Sequence, residues 1–314
     1  MKKNTEATAK MEKMTDAELS KKLGNYQAME SIGMLAGIVC IVVDCILAFI
    51  IHNLIVFSIL FFVGVGFFLL MALPAQKKKK SLIKQQLGDF FQTEFLKEFG
   101  PESKTPELSI DKAYLKNAGL LSLPWEECII SDFHEGTYKG AKFSAANVEQ
   151  RHTVEEKSGP NNDNWMTRTE TVFRGIVIRC RNVCPSDADI TVNDRMEKRA
   201  SGEISDTAAF KKHFEAHTAD GKEANEAVTE ELILLMQDFE KLVGGKVRGI
   251  SLFSGDLALA AETRYSFANI PDSLDARDIE GMRKWYKGTL KDMGRLLNIL
   301  LESPALSAPA AKEK

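Results

Sequence analysis

Two long runs of apolar positions dominate the first quarter of the chain. Residues 31–51 and 54–75 together hold one carboxylate, Asp44, and no Lys or Arg. Each run reaches the roughly 20 residues with which a helix crosses about 30 Å of hydrocarbon, so both are read as transmembrane helices. Only His52 and Asn53 separate them, which predicts an antiparallel helical hairpin closed by a polar turn. Past Gln76 the pattern becomes that of a water-soluble protein. Leu82, Ile83, Leu87, Phe90, Phe91 and Phe95 recur at helical spacing until Gly100-Pro101 stops them, predicting an amphipathic helix. Its aromatic face either packs on the domain that follows or, with four lysines upstream, lies on anionic lipid.

From Trp125 onward, extended segments alternate with turn signals. Residues 128–133, 137–148, 169–181 and 190–192 read as strands, with the Ser158-Gly159-Pro160-Asn161-Asn162 run as the loop between the second and third. Residues 247–253 and 257–263 form a predicted hairpin around Ser254-Gly255-Asp256. A helix over 229–243 has Thr229 as N-cap, Glu230 and Glu231 at its positive end and Gly244-Gly245 after it. A last helix covers 276–302, followed by a frayed tail. The fold class expected is α+β: a two-helix transmembrane hairpin, then a domain with a mainly antiparallel sheet and flanking helices. The expected division is a polar N-terminal segment at 1–30, the hairpin at 31–75, a basic juxtamembrane helix at 76–100, the α+β domain at 101–303 and a disordered tail at 304–314.

Charge orients this arrangement. Lys77, Lys78, Lys79 and Lys80 follow the second run, with Lys84 close behind; Lys13, Lys21 and Lys22 precede the first, and the turn between them has no basic residue. Basic residues near span ends stay on the cytoplasmic side, so a multi-pass protein of the cytoplasmic (inner) membrane with both termini cytosolic is expected. The polar start also lacks the form of a cleaved signal peptide. Net charge is -3 with dispersed Lys and Arg, which argues against a nucleic-acid partner. Five scattered cysteines suit a reducing compartment better than a disulfide framework.

The order of Gly140 to Phe143, then Phe173-Arg174-Gly175, then Phe210 to His217 entering Asp220-Gly221-Lys222-Glu223-Ala224, and last the 251–260 hairpin, resembles a bacterial family catalogued as a domain of unknown function. That resemblance implies N-terminal membrane spans and a cytosolic α+β domain, and no established activity. At Asn225-Glu226 the chain departs from the family pattern, where a basic and an aromatic residue are expected.

Candidate chemistry is sparse. Asp44 lies inside the first span, where a carboxylate costs about 2.5–3.5 kcal/mol on insertion scales. It either binds a proton or cation, or is hydrogen-bonded within the hairpin toward Ser58 or backbone. Gly33 and Gly37, spaced Gly-x-x-x-Gly, and Gly64 and Gly66 allow close helix approach within the hairpin or in a dimer, although glycine is common in membrane helices without marking an interface. Asp132, His134 and Glu135 fall at a predicted strand end, as a small acid–base group or as a solvated turn. His213 and His217 form His-x-x-x-His, at metal-ligand spacing if helical, but 210–218 reads equally well as a strand and no third ligand is fixed nearby. Cys180 and Cys184 lack the second cluster of a structural zinc site. No phosphate-binding glycine loop, Gly-x-Ser-x-Gly or His-Glu-x-x-His occurs, so no metal or cofactor is expected. The function expected is a membrane-tethered binding, scaffold or sensing module, with the bilayer and a protein at the membrane as partners and a homo-oligomer as a further option. The alternatives are a membrane-bound hydrolase with an atypical site and a transport-assembly subunit using Asp44.

Overall fold

The computed structural model describes residues 14–51, 54–100, 107–121, 124–157, 165–184, 189–195, 207–218, 221–222, 224, 228–253, 255–263 and 267–303, with backbone alone at 48–51, 54–60 and 207–209. The chain forms two compact units: a helical unit, Met1–Thr93 with Ile270–Lys287, and a sheet unit, Glu94–Asn269 with Gly288–Lys314.

In the helical unit, α1 (Asp16–Ile51) begins well before the first apolar run. The cause is a capping box: the Glu18 N–H donates to Thr15 Oγ1 at 3.3 Å, and the Thr15 N–H donates to the Glu18 carboxylate at 3.0 Å. Residues 16–30 are therefore helix continuous with the apolar run, where the sequence suggested a separate polar segment. Their partner is the distant 275–283 stretch. Asp16 accepts two bonds at 2.7 Å from the Arg283 guanidinium, the Ser20 hydroxyl donates to the Arg277 carbonyl at 2.9 Å, and Gln27 accepts from the Ala276 N–H at 3.0 Å.

The return helix is α2 (Leu54–Phe67), a π-helical turn at Phe68–Ala72, and α3 (Leu73–Phe99). It runs straight through residue 75, so the lysine run is helical. The widened turn is explained by Pro74, which has no N–H and whose ring would strike the carbonyl four residues back in a regular helix. Here the Leu73 N–H reaches the Phe68 carbonyl instead, five residues back. Lys79 is buried and pairs with Glu30 at 2.6 Å; the other three lysines of the run are exposed. Farther along α3, Phe91 meets Tyr286 edge-on, with centroids 5.1 Å apart.

Both helical stretches, Asp16–Leu47 and Phe61–Phe99, are long and apolar enough to cross a membrane, with 18-residue windows of mean hydropathy 2.1 and 1.3. Ile32, Leu35, Ile38, Val42, Phe62 and Leu70 all point outward, an apolar exterior that water would penalise. The inner contact is made by glycines. A Cβ on Gly37 would stand 3.1 Å from the Gly64 carbonyl oxygen, and one on Gly33 2.8 Å from the Ala72 nitrogen, whereas Gly66 faces open space.

The sheet unit holds a seven-stranded antiparallel sheet in the order β1-β2-β3-β7-β6-β4-β5. Its strands are β1 (Glu127–Tyr138), β2 (Ala141–Lys157), β3 (Trp165–Cys180), β4 (Asp189–Asp194), β5 (Phe214–His217), β6 (Val247–Phe253) and β7 (Asp256–Glu262). The first turn is at Lys139-Gly140, both at positive φ, the conformation of a two-residue hairpin loop whose twist matches the strands. Residues 134–138 are thus strand, and the expected break before Thr137 does not exist. The proposed loop at 158–162 lies outside the described residues, as does the tail at 304–314.

One face of the sheet packs Ala146, Val148, Phe173 and Val177 against Ile110, Leu115 of α4 (Lys112–Asn117) and Leu120. Phe143 on the other face meets Phe99 at 5.2 Å, so the aromatic end of α3 packs on protein. α6 (Glu230–Val243) begins at the Thr229 cap and ends at Gly244, φ 64°, as expected. α5 (Thr207–His213) leads directly into β5, and α7 (Ile279–Leu301) is the last helix among the described residues.

Gly37→Ile is expected to force the hairpin helices apart and destabilise the detergent-solubilised protein by about 1–3 kcal/mol. Gly66→Ile should leave its thermal unfolding unchanged.

Candidate functional site

Asp44 is 1% exposed in α1, and its Oδ1 has no hydrogen-bond partner among the described residues. It turns inward from an apolar exterior; the Ser58 side chain lies outside the described residues.

Asp132 and His134 are not at a strand end. They flank a bulge in the middle of β1, where three steps on β1 (Ser131 to His134) match two on β2 (Asn147 to Ala145). Asp132 is the residue at positive φ, 49°, a conformation Asp tolerates because its short side chain bonds locally. Its carboxylate accepts from Asn147 Nδ2 at 3.0 Å and Asn269 Nδ2 at 3.3 Å. Asn147, itself buried, clasps the Phe267 backbone from both sides, donating to its carbonyl and accepting from its N–H, each at 2.7 Å. The His134 ring sits between Phe95 and Phe267, at centroid distances of 5.0 and 5.7 Å. Buried Glu135 accepts the Glu107 and Leu108 N–H groups at 2.9 Å. The Asp132 and Glu135 carboxylates thus hold loop segments to the sheet.

His213 ends α5 and His217 lies in β5, so the pair is divided between a helix and a strand and shares no helical face. His213 is buried, and His217 is 3.7 Å from Glu215. β5 and β1 are opposite edges of the sheet, so His217 does not converge with Asp132 and His134. Burial, aided by the Asp256 charge, pushes the Cys180 thiol up to about 12 and that of Cys184 up to about 11. Neither is a thiolate at neutral pH. Among the described residues, no group of His, Cys, Asp and Glu is arranged to hold a metal ion.

A different surface stands out. A cleft of about 500 Å³ is lined by residues 171–174 of β3, by Gly244, Gly245 and Lys246, and by Glu262 and Thr263. It exists because β7 stops at Glu262 while β3 extends past it. Gly245 lies so close to the end of β7 that a Cβ would fall 1.8 Å from the Glu262 carbonyl oxygen. Arg174 reaches from the rim to Glu149 at 2.9 Å, and the Thr263 hydroxyl is buried without a partner among the described residues. Glu262 is fixed by Arg248, which bridges Asp194 at 2.8 Å and Glu262 at 2.7 Å and so ties β4, β6 and β7 together. Arg248 is the extra residue of a β6 bulge, since Val247 pairs Ala261 and Gly249 pairs Ala260. Sequence reasoning missed this surface. Gly244-Gly245 was legible only as a helix stop, and the strand ends that form the cleft come from segments far apart in the chain.

Fold and site define a class: an apolar two-helix hairpin covalently continuous with an α+β unit built on a seven-stranded antiparallel sheet with an open cleft at one strand end. Compared with known proteins, the chain matches no family model, no curated protein and no solved structure.

Asn147→Ala is expected to destabilise the protein by about 2–4 kcal/mol, because it removes two buried bonds to the Phe267 backbone and one to Asp132. Thermal unfolding of the full chain in detergent measures it.

Proposed function

We propose that this protein is a membrane-anchored binding module. The hairpin crosses the cytoplasmic membrane twice with both termini cytosolic, and the sheet unit presents the cleft beyond β7 to a partner at that membrane. The observation that carries this reading is the cleft together with the apolar exterior of the hairpin: one surface fits a bilayer, and the other offers Lys246, Arg174 and the Thr263 hydroxyl, with the Glu262 carboxylate already held by Arg248. The exposed lysines of α3 support the orientation. The order of glycine and apolar motifs supports placing the chain with the bacterial family it resembles. Tethering raises the effective concentration of the sheet unit toward membrane partners, so modest intrinsic affinity suffices.

The test is crosslinking in intact membranes followed by affinity purification, comparing the wild type with a variant carrying Thr171→Trp and Lys246→Glu in the cleft. A reproducible adduct of the wild type that disappears in the variant is expected. Identical recovery from both, with no adduct depending on the cleft, overturns the proposal.

Asp44 favours a second reading, a subunit of a transport assembly, because its buried carboxylate has no partner among the described residues. On this reading Asp44→Asn changes the assembled species on native gels and the cellular phenotype. Unchanged assembly and phenotype would remove it.

A further inference from the structure

β3 outruns its neighbour. β7 pairs with it from Gly175 to Cys180, and the Thr263 N–H reaches the Arg174 carbonyl at 3.5 Å, yet β3 extends back to Trp165. From Phe173 back to Thr169 the β7 side of β3 faces no strand among the described residues, while β2 covers the other side along the whole length. The projecting ribbon is exposed, with Trp165 and Met166 each 61% accessible. An edge of this kind, in a strand rich in β-branched residues, is a template for pairing with another strand.

The residues on that edge specify the partner. Thr167-Arg168-Thr169-Glu170-Thr171 puts threonines on one face of the strand and Arg168 and Glu170 on the other. Read backwards, the segment is the same except that the charges exchange sign. Two copies laid antiparallel about Thr169 therefore place Arg168 of each opposite Glu170 of the other, and threonine opposite threonine. A slip of two residues, the smallest that keeps each side chain on its face, sets Arg168 against Arg168 or Glu170 against Glu170. The charges thus select one register. Arg168 already pairs with Glu170 within the strand, which holds both side chains on the face where the second copy needs them.

We propose that this protein self-associates through the β3 edge, in a two-fold antiparallel pairing centred on Thr169. The second copy's strand occupies the row that β7 leaves beyond Glu262, and its Trp165 arrives beside Phe173 at the rim of the cleft. This rests on the binding-module reading and names the partner as a second copy of the same chain. A two-fold contact uses the same patch on both copies and closes on itself, so it yields a dimer and not a fibre.

The test uses the full chain in its native membrane. Opposed residues of an antiparallel pair have Cα atoms about 4.5–5.5 Å apart, within disulfide reach. Thr169→Cys is expected to give a disulfide-linked dimer on mild oxidation, well above the background of the wild type with its own five cysteines. Thr153→Cys, paired with Thr169 on the β2 side of the ribbon, should stay at background. Added to Thr169→Cys, either Arg168→Glu or Glu170→Arg should cut the linked dimer about tenfold, and the double exchange should restore it. Both side chains are exposed, at 63% and 40%, so these exchanges leave the fold intact. Equal linking at positions 169 and 153, or linking indifferent to the charge exchanges, overturns the proposal. A disulfide from Thr169→Cys to a different protein also overturns it and leaves the binding-module reading standing; no adduct there and none in the cleft experiment sinks both.

Discussion

The approach of Gly245 to the Glu262 carbonyl oxygen is the contact on which the cleft beyond β7 depends. The chain leaves α6 at Gly244, in a left-handed conformation, and must enter β6 beside the end of β7. Only a residue without a Cβ passes there, because a side-chain carbon would stand 1.8 Å from the oxygen. The Glu262 N–H then donates to the Lys246 carbonyl at 2.8 Å, and Arg248 clamps the Glu262 side chain from β6. β7 ends at Glu262 while β3 extends back to Trp165, and the difference in strand length creates both the cleft and the edge of β3 that faces no strand among the described residues.

The helical unit follows the opposite logic. In its apolar hairpin, large side chains such as Leu35, Phe62 and Leu70 face outward, and the contact between the two helices is made by small residues. Gly33, Gly37 and Gly64 let two backbones come into contact, the small-residue packing that brings helices together without a large apolar interface. The two charged groups drawn inside differ in kind. Lys79 is compensated by Glu30 at 2.6 Å, so it spends its charge on structure. Asp44 has no such compensation among the described residues. The π-helical turn before Pro74 allows one continuous helix to carry the apolar run into the lysine run without a break.

Polar clusters in the sheet unit show why residue type alone is a poor guide to chemistry. Asp132, His134 and Glu135 have the composition of an acid–base group. Each is absorbed in holding a chain segment: Asp132 through Asn147 and Asn269, His134 between two phenylalanines, Glu135 by capping two N–H groups. A buried carboxylate that accepts backbone donors serves the same need as a secondary-structure bond, because unpaired buried N–H groups are expensive.

The chain's own pattern determined the elements whose signal is local. The two apolar runs, the Thr229 cap, the Gly244 stop, the hairpin around Gly255 and the antiparallel character of the sheet all follow from periodicity and turn chemistry within a few residues. The early start of α1 was also written locally, in Thr15 and Glu18, but the apolar run masked it. The tertiary structure alone decided which polar residues are consumed and which surfaces stay open. Asn147 reaches Phe267, Arg248 reaches Asp194, and β7 ends short of β3, each across a long stretch of chain. Such pairings depend on strand register and bulges, set by packing of the whole sheet, and no short window of sequence contains them.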